Sequence, residues 1–144
     1  MTRVSFHFNV PQRLVYACRL LRKAVGAGSR VVVTAEDALL RRLDVSLWSF
    51  APLEFLPHCH SSAQQQVLAA SPVVLAPSLD QAPHHEVLVN LGAPVPSGFE
   101  RFARLIEVVA QDDDDRQRAR HRWKHYADRG YAIIRHDLAL KDRT

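Results

Sequence analysis

Arg30-Val31-Val32-Val33-Thr34 is the stretch that decides the fold of this chain. The run is short, continuous and rich in β-branched residues, which is typical of a strand buried on both faces of a parallel sheet. Before it, apolar residues recur at helical spacing from residue 11 to about residue 27, and Gly28 ends that pattern. Earlier still, Val4-Ser5-Phe6-His7-Phe8 alternates as a strand does. The opening therefore predicts a strand, a helix and a second strand, joined by a right-handed crossover.

The rest of the chain continues to alternate helical and extended patterns. Thr34 is the candidate N-cap of a short helix that ends near Leu43, and residues 44–50 could add one more turn. The further predicted elements are extended segments at 53–58, 73–75, 86–90, 105–109 and 131–134 and helices at 99–104 and 112–130. No repeat or linker interrupts the order. The sequence thus predicts one α/β domain, residues 1–144, with a mainly parallel sheet.

Length, charge and cysteine content narrow the class of protein. The chain has 144 residues and a formal net charge of +4, which permits contact with nucleic acid or with acidic proteins and does not choose between them. Its two cysteines, Cys18 and Cys59, do not make a disulfide framework. No apolar run approaches the roughly 20 residues that span a bilayer, and the N-terminus lacks the pattern of an export signal. We therefore expect a cytoplasmic protein without a membrane partner.

Residues 112–131 change abruptly from acidic to basic and aromatic. The four aspartates at 112–115 suit the unpaired N–H groups of a helix N-terminus, and Gly130 suits a left-handed residue that ends the helix. Within this helix Arg116, Arg120 and Lys124 follow at intervals of four residues, with Trp123 beside them. Such a stripe fits a ligand with acidic and apolar parts, such as an acidic peptide with a hydrophobic end. The alternative is an ordinary solvated face.

A cluster of large apolar side chains lies in the turn-rich region that follows residue 44. Trp48, Phe50 and Phe55 could close one end of the core, or they could form an exposed surface that binds a partner. The sequence alone leaves both interpretations open.

Motifs for catalysis or cofactor binding do not emerge from the sequence. There is no glycine-rich phosphate loop after the first predicted strand and no nucleophile elbow around any serine. His58-Cys59-His60, together with His84 and His85, lacks ordinary zinc spacing, so no metal site is expected. We therefore expect no cofactor and no enzymatic activity, although an α/β fold can carry an active site that has no recognisable sequence motif.

Several of these segments, in this order, carry a family resemblance. They are Thr34-Ala35-Glu36-Asp37, Leu47-Trp48, Phe55-Leu56-Pro57-His58, the strand near Val87, and Ala119-Arg120-His121-Arg122-Trp123-Lys124-His125-Tyr126 with Gly130-Tyr131. Together they resemble the chi subunit family of bacterial DNA polymerase III over essentially the full chain. The resemblance implies a single-domain, three-layer Rossmann-like fold and a non-catalytic accessory subunit of the clamp-loader assembly.

The resemblance also implies two binding surfaces. Chi-like proteins bind the acidic, phenylalanine-ended C-terminal tail of single-stranded-DNA-binding protein, and the residues that match are Arg116, Arg120, Trp123 and Lys124. They also bind the psi subunit, and the residues that match that surface are Trp48 and Phe55, with Pro57 close by. Association with single-stranded DNA would then be indirect.

Two features depart from the family pattern. The segment between Val109 and Arg116 is shorter than usual and is occupied by the aspartates, and Trp123 stands where a tyrosine is more usual. A competing hypothesis is direct binding of single-stranded nucleic acid, with Trp123 and Tyr126 as stacking platforms among the cations.

Overall fold

The fold is a seven-stranded sheet in which every observed strand pairing is parallel. The computed structural model of the chain describes residues 1–50 and 56–141. In chain order the strands are β1 Arg3–Val10, β2 Val31–Thr34, β3 His58–His60, β4 Val73–Leu75, β5 Val87–Asn90, β6 Arg104–Ala110 and β7 Ile133–Asp137. Across the sheet they follow the order β3-β4-β2-β5-β6-β1-β7. The sheet therefore has β3 and β7 at its two edges.

Helices cover both faces of this sheet. They are α1 Arg13–Gly26, α2 Asp37–Phe50, α3 Gln65–Ala70, α4 Asp113–Asp128 and α5 Leu138–Lys141, with a 3-10 helix at Phe99–Arg101. Because side chains alternate along a strand, Val31 and Val33 pack with α1 and α2, whereas Val32 packs on the opposite face with α3 and α4. This arrangement confirms the predicted three-layer α/β fold.

Four segments differ from the sequence prediction. Thr34 is the last residue of β2, and the next helix begins only at Asp37. The assignment of Thr34 as the N-cap of that helix was therefore wrong. That helix does not end near Leu43 but continues to Phe50, so residues 44–50, which could have added one more turn, are helical. The helix expected at 99–104 is only the short 3-10 helix, because strand β6 already begins at Arg104. Helix α3 was not predicted, and β7 runs to Asp137, past the expected end at residue 134.

Both ends of α4 follow the predicted chemistry. The Asp112 carboxylate accepts a hydrogen bond from the backbone N–H of Asp115 at 3.0 Å, as an N-cap does. At the other end Gly130 has φ of 82°, and the N–H of Tyr131 donates to the carbonyl of Tyr126 at 3.1 Å. These two caps fix the length and direction of the helix.

Asp115 has a further role that helix capping does not explain. Its carboxylate is buried, accepts a hydrogen bond from the N–H of Ala110 at 2.7 Å and lies 3.3 Å from a guanidinium nitrogen of Arg13. Arg13 begins α1, which covers the other face of the sheet. The ion pair between Arg13 and Asp115 therefore joins the two helical layers at the carboxyl end of the sheet, where β6 ends.

Within the described ranges, 1–50 and 56–141, no helix combines the length and the apolar character needed to cross a lipid bilayer.

Candidate functional site

A pocket of about 420 Å³ opens between α4 and the strands β1 and β7. Its walls combine aromatic and aliphatic side chains with guanidinium groups. The lining residues are Phe6, Phe8, Val109, Arg116, Ala119, Arg120, Trp123 and Arg135. We call this the α4–β7 pocket.

The strands place three of these side chains. Phe6 and Phe8 are two residues apart on β1, so their rings leave the sheet on the same face, the one that α4 covers. Arg135 of β7 is the register partner of Phe6 in the parallel β1–β7 pair. Its guanidinium carbon lies 5.5 Å from the ring centroid of Phe8. The edge strand thus adds a cation above an aromatic floor.

Trp123 forms the wall that α4 contributes. The side chain is half-buried, and its ring centroid lies 4.9 Å from that of Phe6 with the ring planes tilted by 55°. The guanidinium carbon of Arg135 lies 5.7 Å from the Trp123 ring centroid. Trp123 is therefore held by neighbours and still presents apolar surface to the pocket.

The structure brings together three of the four residues predicted to bind the peptide tail. Arg116, Arg120 and Trp123 all line the α4–β7 pocket, whereas Lys124 is exposed and does not line it. None of the lining residues is acidic, and the nearest described carboxylate to Arg116 is that of Asp113, 3.9 Å away. Three guanidinium groups around an apolar floor suit a ligand that carries carboxylates and a hydrophobic ring.

Sequence reasoning missed Arg135, Phe6 and Phe8. The alternation of β1 indicates that the two phenylalanines share a face, which is the one signal available from the sequence. Nothing in the sequence indicates that β7 pairs with β1. The predicted last strand also stopped at residue 134, which left Arg135 in a polar tail.

A buried polar cluster lies beneath α4 next to this pocket. Glu107 of β6 accepts hydrogen bonds from Arg122 Nε at 2.9 Å, Tyr126 Oη at 2.6 Å and Asn90 Nδ2 at 3.2 Å. Burial raises the pKa of Glu107, and the adjacent Arg122 guanidinium and the hydrogen-bond donors act against that rise. Burial, together with the neighbouring Glu107 carboxylate, also raises the pKa of Tyr126. The cluster anchors α4 to the middle of the sheet.

Tyr126 is fully buried in this cluster and cannot stack on a base at the surface. The part of the nucleic-acid hypothesis that used Tyr126 as a stacking platform was therefore wrong. The apolar periodicity of α4 placed Tyr126 beside Trp123 and could not show that the tyrosine lies against the sheet.

The second predicted surface lies at the opposite edge of the sheet. The Trp48 side chain is 58% exposed, so it does not close the core, and Val45, one turn earlier on α2, is 64% exposed. The Trp48 ring packs edge-on against His58 of β3, with 5.2 Å between centroids, and Pro57 beside it is exposed. Phe55, the remaining predicted residue of this surface, lies outside the described residues.

The histidines of β3 bind acidic side chains of α2. The Nε2 atom of His58 lies 2.8 Å from Asp44 Oδ1, and that of His60 lies 3.2 Å from Asp37 Oδ1. Because His58 and His60 are two residues apart on β3, their side chains lie on the same face of the sheet, as expected. Among the residues in the described ranges, no group of three or more histidine, cysteine, aspartate or glutamate side chains is arranged to hold a metal ion.

Comparisons with solved structures support the architecture. The C-terminal domain of the DEAD-box protein Dbp5 superposes with a TM-score of 0.61 over 96% of this chain and 91% of that one, at 14% sequence identity. At so low an identity this similarity shows the fold alone.

Comparisons of the sequence show its family. DNA polymerase III subunit chi of Pseudomonas aeruginosa is 35% identical over 144 residues, which cover 96% of this chain and 98% of that protein. The chi subunits of Haemophilus influenzae and Escherichia coli are each 27% identical over 81% of this chain and over 81% and 79% of their own lengths. The family model described as DNA polymerase III chi subunit, HolC, matches residues 1–134. The chain therefore belongs to the family of DNA polymerase III chi subunits.

Proposed function

We propose that this chi subunit links the clamp loader, through psi, to the acidic C-terminal tail of single-stranded-DNA-binding protein. The observation that carries the proposal is the α4–β7 pocket, in which Arg116, Arg120 and Arg135 surround Trp123 and the rings of β1. An acidic peptide that ends in phenylalanine supplies both kinds of group that such a pocket accepts.

The two parts of the tail have separate partners in this proposal. Arg120 and Arg116 of α4, with Arg135 facing them from β7, receive side-chain carboxylates and the terminal carboxylate. The phenylalanine ring packs between Trp123 and the aromatic floor. Lys124 lies one turn beyond Arg120 on the exposed surface of α4, where it meets acidic residues further from the end of the tail.

Psi is assigned to the surface around Trp48 and Pro57, where Phe55 is a further expected contact. An exposed tryptophan beside an exposed valine, Val45, on one helix is the kind of patch that partner proteins bury. This patch lies against β3, whereas the α4–β7 pocket lies against β7. Seven strands spaced by about 4.8 Å put those edges roughly 30 Å apart, so one chain has room for both partners.

In this proposal the subunit is a cytoplasmic adaptor without catalytic chemistry, and its tail-binding surface reaches single-stranded DNA only through the bound protein. Direct stacking on bases is not favoured, because Trp123 is half-buried and Tyr126 is inaccessible.

A pull-down with the full chain tests both assignments. Intact single-stranded-DNA-binding protein should be retained, whereas a version that lacks its last residues should not. Equal retention of the two versions would remove the tail assignment. For the second surface, Trp48→Ala should release psi while the tail interaction persists, and the matched control is Val67→Ala, an exposed apolar residue on α3. If Trp48→Ala retains psi as Val67→Ala does, the psi assignment is wrong.

A further inference from the structure

A second pocket lies on the other flank of α4. It has a volume of about 320 Å³ and is lined by Gly92, Pro94, Val95, Arg118, His121, Arg122 and His125. None of these residues lines the α4–β7 pocket. We call it the α4–loop pocket, because the loop that follows β5 forms its other wall.

The topology explains why there is space here. The connection from β5 to β6, residues 91–103, covers the sheet beside α4 with only the short 3-10 helix. Asn90 holds the start of this connection, since its side chain donates to the carbonyl of Ala93 and accepts from the N–H of Ala93, both at 2.9 Å. Gly92 adopts φ of 97°, a conformation that suits glycine. The loop wall is therefore built by specific contacts.

Arg122 supplies the inner end of the pocket. The residue is 3% exposed, and its Nε donates to Glu107 at 2.9 Å. Its Nη2 is buried and has no hydrogen-bond partner among the described residues. A buried guanidinium N–H without an acceptor is costly, and an anionic oxygen in the adjoining pocket would satisfy it.

The outer part of the pocket is also basic. Arg118 is 60% exposed, and its nearest acidic atom is Asp115 Oδ1 at 3.6 Å. His121 is exposed, and the half-buried His125 packs edge-on against Tyr126. Two carboxylates lie near the pocket. Asp115 accepts from the N–H of Ala110 through Oδ2, and its Oδ1 lies 3.3 Å from Arg13 and 3.6 Å from Arg118. Glu107 takes three donors. A ligand therefore meets mainly cations and N–H groups.

We propose that the α4–loop pocket binds a phosphate group. The guanidinium groups of Arg118 and Arg122, which both line the pocket, contact the phosphate oxygens, because arginine matches the geometry of phosphate. Pro94 and Val95 give the pocket an apolar wall against which a sugar or base can lie. The phosphate can come from the free anion, a mononucleotide or the backbone of single-stranded DNA, and these three sources share the chemistry that the pocket recognises.

The test is a titration of the full-length protein followed by 1H–15N NMR. The probes are inorganic phosphate, thymidine monophosphate and a short oligothymidylate, each matched in ionic strength with sodium chloride. Binding should shift the amide signals of Gly92, Val95, Arg118 and His121 before those of Phe8 and Arg135, which line the α4–β7 pocket. If only inorganic phosphate binds, the pocket is a site for a free oxyanion. If thymidine monophosphate binds more tightly than phosphate, the apolar wall contributes to binding. If oligothymidylate binds most tightly, the ligand is the backbone of single-stranded DNA. The absence of specific shifts with all three probes would overturn the proposal.

Three variants separate this site from general positive charge. Arg118→Gln should weaken binding by about two- to fivefold, the range for an exposed charge. Arg122→Lys keeps a cation beside Glu107 and removes the Nη2 donor, so it should weaken binding by about tenfold or more while the protein stays folded. Arg116→Gln, on the opposite flank, should leave the affinity unchanged. Equal losses in Arg116→Gln and Arg118→Gln would show attraction to the helix as a whole and contradict the site.

Discussion

The guanidinium carbon of Arg135 lies 5.7 Å from the ring centroid of Trp123. One residue belongs to the edge strand β7 and the other to the preceding helix α4, and Phe6 of β1 connects them by pairing with Arg135 and packing against Trp123. The pocket therefore depends on the order of strands at this end of the sheet. Its aromatic and cationic halves are assembled only when β7 joins β1.

Arg135→Gln should weaken binding of an acidic, phenylalanine-ended peptide by about two- to fivefold, because Arg135 is an exposed cation at the pocket. Fluorescence anisotropy with a labelled peptide measures this change. The matched control is Arg101→Gln, an exposed arginine of the 3-10 helix that does not line the pocket. If the two variants bind the peptide equally well, Arg135 has no part in the site.

Trp123→Ala should lower the affinity for the same peptide by about tenfold or more, because it removes the aromatic wall for the terminal phenylalanine. Trp123→Phe keeps an aromatic face and should retain most of the affinity. Isothermal titration calorimetry of both variants, with circular dichroism to verify folding, gives the comparison. Similar losses in the two variants would show that an aromatic surface at this position is not what the peptide recognises.

Tyr126→Phe should destabilise the protein by about 1–3 kcal/mol, because it removes a buried donor from the Glu107 carboxylate. Urea unfolding followed by circular dichroism measures the free energy of unfolding. Tyr131→Phe is the control, since that tyrosine is only half-buried. Peptide affinity should stay the same in both variants while they are folded. A Tyr126→Phe protein as stable as Tyr131→Phe would mean that the Glu107 cluster does not hold α4 to the sheet.

His84 should make the protein less stable as the pH falls. Burial, with a smaller contribution from the charge of Arg30, lowers the pKa of His84 below its ordinary value of 6.5. The unfolded chain then binds the proton more readily than the folded one, so the contribution of His84 is complete above the ordinary pKa and is lost as the pH falls through and below it. His84 can change the free energy of unfolding by at most about 1.4 kcal/mol per pH unit.

Urea unfolding from about pH 7.5 to about pH 5.5 should therefore show a shallower loss of stability for His84→Leu than for the unmodified chain. His85→Leu controls for the removal of an exposed neighbouring histidine. Identical pH profiles for the unmodified chain and His84→Leu would contradict this account.

The fold was predictable because local patterns were strong. The valine run of β2, the alternation of β1 and the two caps of α4 each fixed an element before any tertiary contact was known. The sequence left the end of α2 open. Residues 44–50 carry no stop signal such as glycine, which allows the helix to continue, but polar side chains interrupt the apolar periodicity there. Strand β7 is half exposed at a sheet edge, which weakens the apolar pattern that marks a strand.

The candidate site was predictable only in its helical half. Spacing along α4 placed Arg116, Arg120 and Trp123 together, since residues three and four apart share a helix face. The same rule extended the stripe to Lys124, which lies beyond the pocket, because spacing does not show where the strands end. Arg135 lies at the pocket because β7 pairs with β1, and these two strands are more than a hundred residues apart in the sequence.

Titration of a labelled peptide with the sequence of the acidic, phenylalanine-ended tail against the unmodified protein and Arg120→Ala tests the central claim most directly. Arg120 lines the α4–β7 pocket, and we expect its loss to weaken binding by about tenfold or more, because it removes a charged hydrogen-bond partner of the tail carboxylates. Arg129→Ala, at the far end of α4, should bind as the unmodified protein does. Equal affinities of Arg120→Ala and the unmodified protein for the tail would contradict the account.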